Sequence, residues 1–252
     1  MRGGDVIIQG AIRNTNGTTK IETSGGIYGT SASSVGGKII QLVANEIGDS
    51  APVNVNGSFN AEANALHTNL SNVDGASIEA RTYGGFNKAA QLVTKTVFGY
   101  TFGVVNLPAK NYEGRINIVE NDGPLVVKDI TAGSNAQLGQ DTGGKVFLSA
   151  VGGIEAAMGT AGVVRGGTIN ISSEAHVGTS SRALTIDGGE QNKDYLAVTA
   201  INDVYLTESD GDFRVKSISS SAGDVTIAVP YGSLVDANTT AIRDERSYEE
   251  LS

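Results

Sequence analysis

The chain has 252 residues, a formal net charge of −9 and no cysteine. The lack of cysteine excludes disulfide bonds and thiolate metal sites, and the acidic balance argues against nucleic acid as a partner. No run approaches the roughly 18 apolar residues of a membrane-spanning helix, so we expect no membrane span.

Glycine, at 34 residues, is about twice as frequent as the usual 7%, and its spacing is regular. Pairs of glycines lie nine positions apart, and short segments with alternating apolar and polar residues follow the first of each pair. Segments such as Ile116–Ile118, Ile169–Ile171 and Val225–Ile227 are rich in β-branched residues, which favour strands. The glycine pairs, in chain order, are Gly17 and Gly26, Gly75 and Gly84, Gly114 and Gly123, Gly144 and Gly153, and Gly223 and Gly232.

Successive units repeat with a larger period of about 20 residues, whereas repeats of helix pairs need about 33 to 47. We therefore predict an all-β chain in which residues 1–240 form a single β-solenoid with coils of about 20 residues. We call the residue that begins each unit, a glycine or Asn202 in its place, the frame residue. The apolar residue four positions after each frame residue is expected to point inward and to stack in core columns. These residues are Ile118, Leu148, Ile171, Leu206 and Ile227.

Residues 241–252 change abruptly to a charged, helix-favouring composition. We interpret this tail as the first turns of a truncated helix, because it has helix formers but no capping residue at its end. The chain is accordingly interpreted as a segment of a longer parent polypeptide, and the rest of that polypeptide is one of its expected partners.

Residues 86–112 interrupt the glycine pattern and concentrate aromatic residues and lysines. One interpretation is an insertion packed against the side of the solenoid, with its aromatic side chains forming a satellite core. The other is an exposed contact surface, because aromatic residues beside basic ones are enriched at interfaces. The candidate contact residues are Lys95, Phe98, Tyr100 and Phe102.

An acidic cluster is the best metal candidate in the chain. Glu208, Asp210 and Asp212 stand at alternate positions, so their carboxylates fall on one side of an extended chain, an arrangement that suits Ca²⁺. The spacing does not match the EF-hand loop, and a solvated turn is the alternative interpretation. We predict no other cofactor.

Neither histidine has catalytic spacing. His67 and His176 are flanked mainly by small or apolar residues, and no serine or cysteine elbow accompanies them, so we predict that the chain is not an enzyme.

The alternative is a polysaccharide-degrading enzyme. Asp203, Asp224, Lys145 and Arg115 each follow a frame residue directly. Such residues either stack as a column of charges or, as the favoured interpretation, cover solvated turns. An outer-face cluster of two carboxylates with an arginine or lysine within reach would favour this enzyme. A plain column of threonine, serine and asparagine would favour a structural stalk.

The repeat phrasing resembles a known family. Gly4–Ile12 begins Gly-Asp-Val-Ile-Ile, Gly223–Leu234 begins Gly-Asp-Val-Thr-Ile, and Asn14–Ile27 and Asp203–Phe213 follow related patterns. These segments are similar to the repeat region of large bacterial exoproteins of the filamentous-haemagglutinin type. The resemblance implies a right-handed parallel β-helix, a secreted or cell-surface location, and a virulence-associated role as an adhesin stalk or a toxin-delivery fibre. The implied partner is a glycan or protein on a host cell or a neighbouring cell.

Overall fold

The structure is a computed structural model that describes residues 4–44, 46–48, 52–65, 67–71, 77–82, 92–97, 100–105, 115–121, 123–132, 134–135, 140–141, 144–189 and 194–238. Side chains are described within these ranges except in 56–114 and 133–143. Within these ranges every assigned element of secondary structure is a β-strand. In the same ranges there is no helix with the length and apolarity needed to cross a membrane.

Most strands join one large, curled parallel sheet of 21 strands, which has two halves, here named sheet A and sheet B. Strand β7 belongs to sheet B and also pairs with β8 of sheet A, so it connects the halves. Sheet A contains β1 (Val6–Ile7), β4 (Gly26–Tyr28), β6 (Glu46–Ile47), β8 (His67–Ser71), β12 (Arg115–Glu120), β16 (Lys145–Ala150), β19 (Thr168–Ser173), β21 (Tyr195–Ala200), β23 (Phe213–Ser220) and β25 (Leu234–Asp236). Sheet B contains β2 (Ala11–Ile12), β3 (Thr18–Glu22), β5 (Ser34–Val43), β7 (Val53–Ala65), β9 (Ser77–Thr82), β13 (Leu125–Ala132), β17 (Ile154–Ala156), β18 (Val163–Gly166), β20 (Leu184–Gly188), β22 (Val204–Glu208) and β24 (Val225–Ala228).

The core lies between the inner faces of the two sheets. In β12, β16 and β19 every second side chain is buried, as the alternation of apolar and polar residues predicts. Ile118, Leu148 and Ile171 lie side by side in register, and none is more than 3% exposed. Each such side chain contributes about 1.5–3 kcal/mol by its burial.

The predicted inward orientation is confirmed for a fourth residue, Leu206, which is buried in sheet B opposite Leu184. The inward residues thus form two columns, one in each sheet. Ile227 lies beside Leu206 but is only partly buried. Its strand, β24, has a neighbour on one side only among the described strands, so part of its surface is left uncovered.

The prediction of a single right-handed parallel β-helix with coils of about 20 residues is wrong. The strands form a curled parallel sheet with two halves and two separate antiparallel pairs. The chain length between neighbouring strands is also uneven, since His67 to Arg115 is about twice as far along the chain as Lys145 to Thr168.

A regular coil also does not describe β13, because this one strand pairs with two successive strands. Strand β13 pairs with β17 near its start and with β18 near its end, and its register with β9 shifts between Val127 and Asp129. Such a shift is typical of a β-bulge, which bends a strand and increases its twist.

The predicted insertion contains an antiparallel pair of strands, β10 (Leu92–Val97) and β11 (Tyr100–Val105). These strands form a sheet of their own, as do β14 (Ser134–Asn135) and β15 (Gln140–Asp141). Strand β8 pairs directly with β12, and β9 with β13, so the parallel sheet continues across the insertion. The charged tail, residues 241–252, lies outside the described residues.

Candidate functional site

The outer face of sheet A presents three parallel rows of side chains, which we call the sheet A face. On β12, β16, β19 and β21 the outward positions alternate with buried ones, and direct register aligns them across the four strands. The first row is Arg115, Lys145, Thr168 and Tyr195, the second is Asn117, Phe147, Asn170 and Ala197, and the third is Val119, Ser149, Ser172 and Thr199.

The sheet A face is positively charged in an acidic chain. It has three outward positions on each of four strands, and these twelve residues include Arg115 and Lys145 but no carboxylate, although the whole chain has 27 Asp and Glu residues. At one end of the first row the Nζ atom of Lys216 lies 4.6 Å from the centre of the Tyr195 ring, a distance typical of a cation–π contact. The next residues of that row on the other side are His67 and then Glu46.

On the outer face of sheet B, Arg165 and Lys20 contact carboxylates. The Nε atom of Arg165 donates to Asp187 Oδ2 at 2.7 Å, and Nη1 donates to Asp129 Oδ2 at 3.5 Å. Thr131 Oγ1 donates to Asp129 Oδ1 at 2.7 Å. Lys20 similarly contacts Glu22 at 2.6 Å. Arg165 therefore joins two carboxylates into one partly exposed cluster.

A second cluster surrounds His176. The His176 Nε2 atom lies 3.0 Å from Glu155 Oε1, and Arg182 Nη2 lies 3.4 Å from Glu155 Oε2. Arg182 Nη1 also donates to the Ala156 carbonyl at 2.8 Å. The imidazole ring rests against Gly153, where a Cβ atom would collide with the ring. His176 is thus held in a fixed position by Glu155 and Gly153.

The fold separates the basic residues of the predicted charge column from its acidic residues. Arg115 and Lys145 are direct neighbours on sheet A. Asp203 and Asp224 are neighbours at a turn of sheet B, where Asp203 Oδ1 accepts a hydrogen bond from the Asp224 backbone N–H at 2.9 Å. Asp203 therefore braces a turn, and its carboxylate does not join the basic pair.

The same brace occurs at two other turns. Asp5 Oδ1 accepts from the Gly26 N–H at 2.8 Å, and Asp212 Oδ1 accepts from the Ser233 N–H at 2.9 Å. In all three cases the donor is 21 residues further along the chain. Each aspartate therefore connects its own turn to the turn that lies 21 residues further along the chain.

The three predicted calcium ligands do not converge. Glu208 is buried at the end of β22, where Oε1 accepts from the Gly188 N–H at 3.3 Å, whereas Asp210 and Asp212 are exposed. In the described ranges no group of three or more His, Cys, Asp or Glu residues is arranged to hold a metal ion. Burial raises the pKa of Glu208 to about 7, and the nearby Asp187 charge adds to this shift, while the hydrogen bond from Gly188 opposes it.

The predicted contact residues of the insertion lie on its antiparallel strands. Lys95 is opposite Phe102, and Tyr100 is opposite Val97. Phe98 lies outside the described residues, and the other three have no described side-chain contacts. Their role as a contact surface stays a prediction.

Sequence reasoning missed both clusters of sheet B. Glu155 and His176 are 21 residues apart, so the repeat period contained a usable signal for their contact. Arg165 contacts partners that are 22 and 36 residues away, and no single period relates both of them.

Comparison of the chain with protein-family models, with curated proteins and with solved structures finds no match.

Proposed function

We propose that this chain is a structural, adhesive segment of a bacterial fibre, secreted or held at the cell surface, and that one face of its sheet contacts a glycan or protein on another cell. The single observation that carries the proposal is the polar, carboxylate-free sheet A face. Its third row consists of Val119 followed by Ser149, Ser172 and Thr199, which is the plain hydroxyl column expected of a stalk.

The mechanism would be geometric. Parallel strands hydrogen-bond to neighbours on both sides and bury stacked apolar side chains, which makes a stiff support. Rigid strands hold their outward side chains at a constant spacing of about 4.8 Å. A surface of this kind binds an extended partner through many weak contacts, each displaced by one strand.

Adhesion of the purified chain to bacterial or host cells tests this function. We expect cells to be retained on a surface coated with the chain, and we expect soluble chain to compete for that retention. A surface coated with heat-unfolded chain serves as the control, because it has the same composition without the ordered rows. Equal retention on both surfaces would contradict the proposal.

A polysaccharide-degrading enzyme is the second candidate, and the Asp129–Arg165–Asp187 cluster favours it. Two carboxylates beside an arginine fulfil the condition set for this enzyme, since a positioned carboxylate can act as a general acid or base.

Incubation with acidic and neutral polysaccharides separates the two candidates. Release of reducing ends or of unsaturated products by the chain, and its loss in an Asp187→Asn variant, would establish the enzyme. Binding without product would favour the adhesive segment.

A further inference from the structure

The parallel sheet has two edges at which each strand has a described neighbour on one side only. At the N-terminal edge, which we define as β1, β2 and β3, strand β1 pairs with β4, and β2 and β3 both pair with β5. At the C-terminal edge, defined as β24 and β25, these strands pair with β22 and β23. The backbone groups on the outer side of such strands are a template for a further strand.

The apolar core is left uncovered at the N-terminal edge. Ile12 is in register with Val35, which is fully buried, so Ile12 occupies an inward position of the same column. Ile12 is nevertheless 37% exposed, and Ile7 of β1 is 61% exposed. The column of buried side chains therefore ends here in an apolar side chain that water reaches.

The same is true of the C-terminal edge. Val225 lies beside the buried Val204, and Leu234 lies beside the buried Phe213. Val225 and Leu234 are nonetheless 43% and 61% exposed, as is Tyr231 in the turn between their strands. Covering these side chains would remove apolar surface from water, which favours association.

A turn at the C-terminal edge is prepared for one more strand layer. Asp203 accepts a hydrogen bond from the Asp224 N–H, and Asp224 directly precedes β24 as Asp203 precedes β22. The Asp224 side chain is exposed, so its carboxylate is placed to brace the turn of a strand added beyond β24. The N-terminal edge offers an opposite charge, because Arg13 directly follows β2 and is exposed.

From these observations we propose that copies of this chain associate head to tail, with the C-terminal edge of one copy pairing in parallel with the N-terminal edge of the next. A second copy fits because its strands in both sheets are parallel, as the ladders at β24 and β25 are. The hydrogen-bond ladders and the core columns would continue through the junction. The inference goes beyond the proposed adhesive function, since it concerns the sheet edges and not the sheet A face.

The contact joins two different edges, so each added copy leaves one edge of each kind open, and association continues without closing. Sedimentation velocity at increasing protein concentration tests this. We expect a monomer at low concentration and a growing series of dimers, trimers and longer species at high concentration. A wild-type chain that stays monomeric at every concentration would overturn the proposal.

Variants blocked at one edge test the head-to-tail geometry. Val225→Lys/Leu234→Lys blocks the C-terminal edge and Ile7→Lys/Ile12→Lys blocks the N-terminal edge, because lysine on an edge strand opposes pairing with another strand. Each variant alone should lose the oligomers and remain monomeric. An equimolar mixture of the two should form a dimer and nothing larger, since only one open edge of each kind remains. A blocked variant that dimerises alone, or a mixture that stays monomeric, would overturn the proposal.

Met158→Lys/Ile201→Lys is the matched control, because it replaces two exposed apolar side chains outside the edges; it should associate like the wild type. Loss of association in this control as well would show nonspecific hydrophobic contact and contradict the proposal. The melting temperature of each variant, measured at low concentration, reports whether it is folded.

Cross-linking provides a second measurement that does not depend on lysine at the edges. The chain has no cysteine, so single-cysteine variants can be joined by a bifunctional maleimide. Ile7→Cys mixed with Leu234→Cys should give a cross-linked dimer, whereas Leu234→Cys alone should not. Cross-linking of Leu234→Cys alone would indicate that like edges meet. Association that appears only after deletion of residues 239–252 would identify that segment, and not a second copy, as the occupant of the C-terminal edge in the whole chain, and would also overturn the proposal.

Discussion

Glu208 is an ionisable group in surroundings that disfavour its charge. Its side chain is 1% exposed, Oε2 has no hydrogen-bond partner among the described residues, and the Asp187 carboxylate is nearby. Burial raises its pKa from 4.5 to about 7. Below about pH 7 the folded chain therefore holds this carboxyl mainly in its protonated form.

This preference predicts a pH-dependent stability. Below pH 4.5 the residue is neutral in both states, and the folded chain has its full stability; between about pH 4.5 and 7 the unfolded state ionises first, so stability falls as the pH rises. The loss amounts to about 3 kcal/mol. We expect denaturant titrations to show this fall in the wild type and a smaller one in Glu208→Gln, which cannot ionise.

The exposed Asp210 provides the control for Glu208. It stands two positions further in the same turn, so Asp210→Asn should keep the pH dependence of the wild type. If Glu208→Gln also keeps the pH dependence of stability, another group causes this dependence and the buried carboxyl of Glu208 does not.

Ile171 shows the cost of a charge inside the core. It is 3% exposed and lies between Leu148 and Val198. Ile171→Asp should lower the free energy of unfolding by several kcal/mol, because the new carboxylate would be buried without a partner. Ser172 directly follows Ile171 and faces outward, so Ser172→Asp should change the melting temperature little. Equal melting temperatures of the two variants would contradict the observed orientation of β19.

At the scale of single elements, the aspartate braces fix the turns. Asp212 Oδ1 accepts the Ser233 N–H at the start of β25, the last strand described in sheet A. Asp212→Ala should destabilise this strand by about 1 kcal/mol, the usual net value of one hydrogen bond. The rate of hydrogen exchange at the Ser233 amide measures this loss of stability directly, and Asp210→Ala is the control. Unchanged exchange in Asp212→Ala would show that the brace contributes nothing.

The strands themselves follow from the sequence more readily than their partners do. Alternating apolar and polar residues identify β12, β16 and β19, because a strand with one buried face has a period of two. The pairing of β8 with β12 does not follow, since a long insertion separates His67 from Arg115. The bulge of β13 at Val127 is equally hidden, because nothing in its local sequence requires a shift of register.

The candidate site likewise has features that the sequence predicts and features that only the fold determines. The repeat identifies Arg115 and Lys145 as charged positions, but their separation from Asp203 and Asp224 depends on which sheet each strand joins. The sequence identifies Glu208 as a member of an acidic cluster, yet its burial depends on the packing of β22 against β20. Side-chain chemistry can be read from the sequence, whereas its surroundings come from the assembled sheets.

At the scale of the whole molecule, the insertion is separable from the parallel sheet. Strands β10 and β11 pair only with each other among the described strands, and β8 pairs with β12 across the gap. Deleting residues 87–111 and joining the ends with a short glycine linker should leave the β-rich circular dichroism largely intact. Collapse of the fold would instead show that the segment is part of the scaffold.

The deletion also distinguishes two surfaces. Adhesion to cells should persist in the deletion variant if the sheet A face is the contact surface. Loss of binding with an intact fold would place the contact on the insertion, at Lys95, Phe98, Tyr100 and Phe102.

One-sided pairing of the last described strands determines how the molecule would resist a mechanical load. Strands β24 and β25 each have a single described neighbour, β22 and β23, whereas β19 is hydrogen-bonded to β16 and β21. A force applied at residue 238, across the strands, would load the few hydrogen bonds of β25 first and detach strands in sequence. A force applied along the strands would shear a whole ladder at once. The chain would therefore peel at low force and shear only at high force, so the direction of pull would decide its strength.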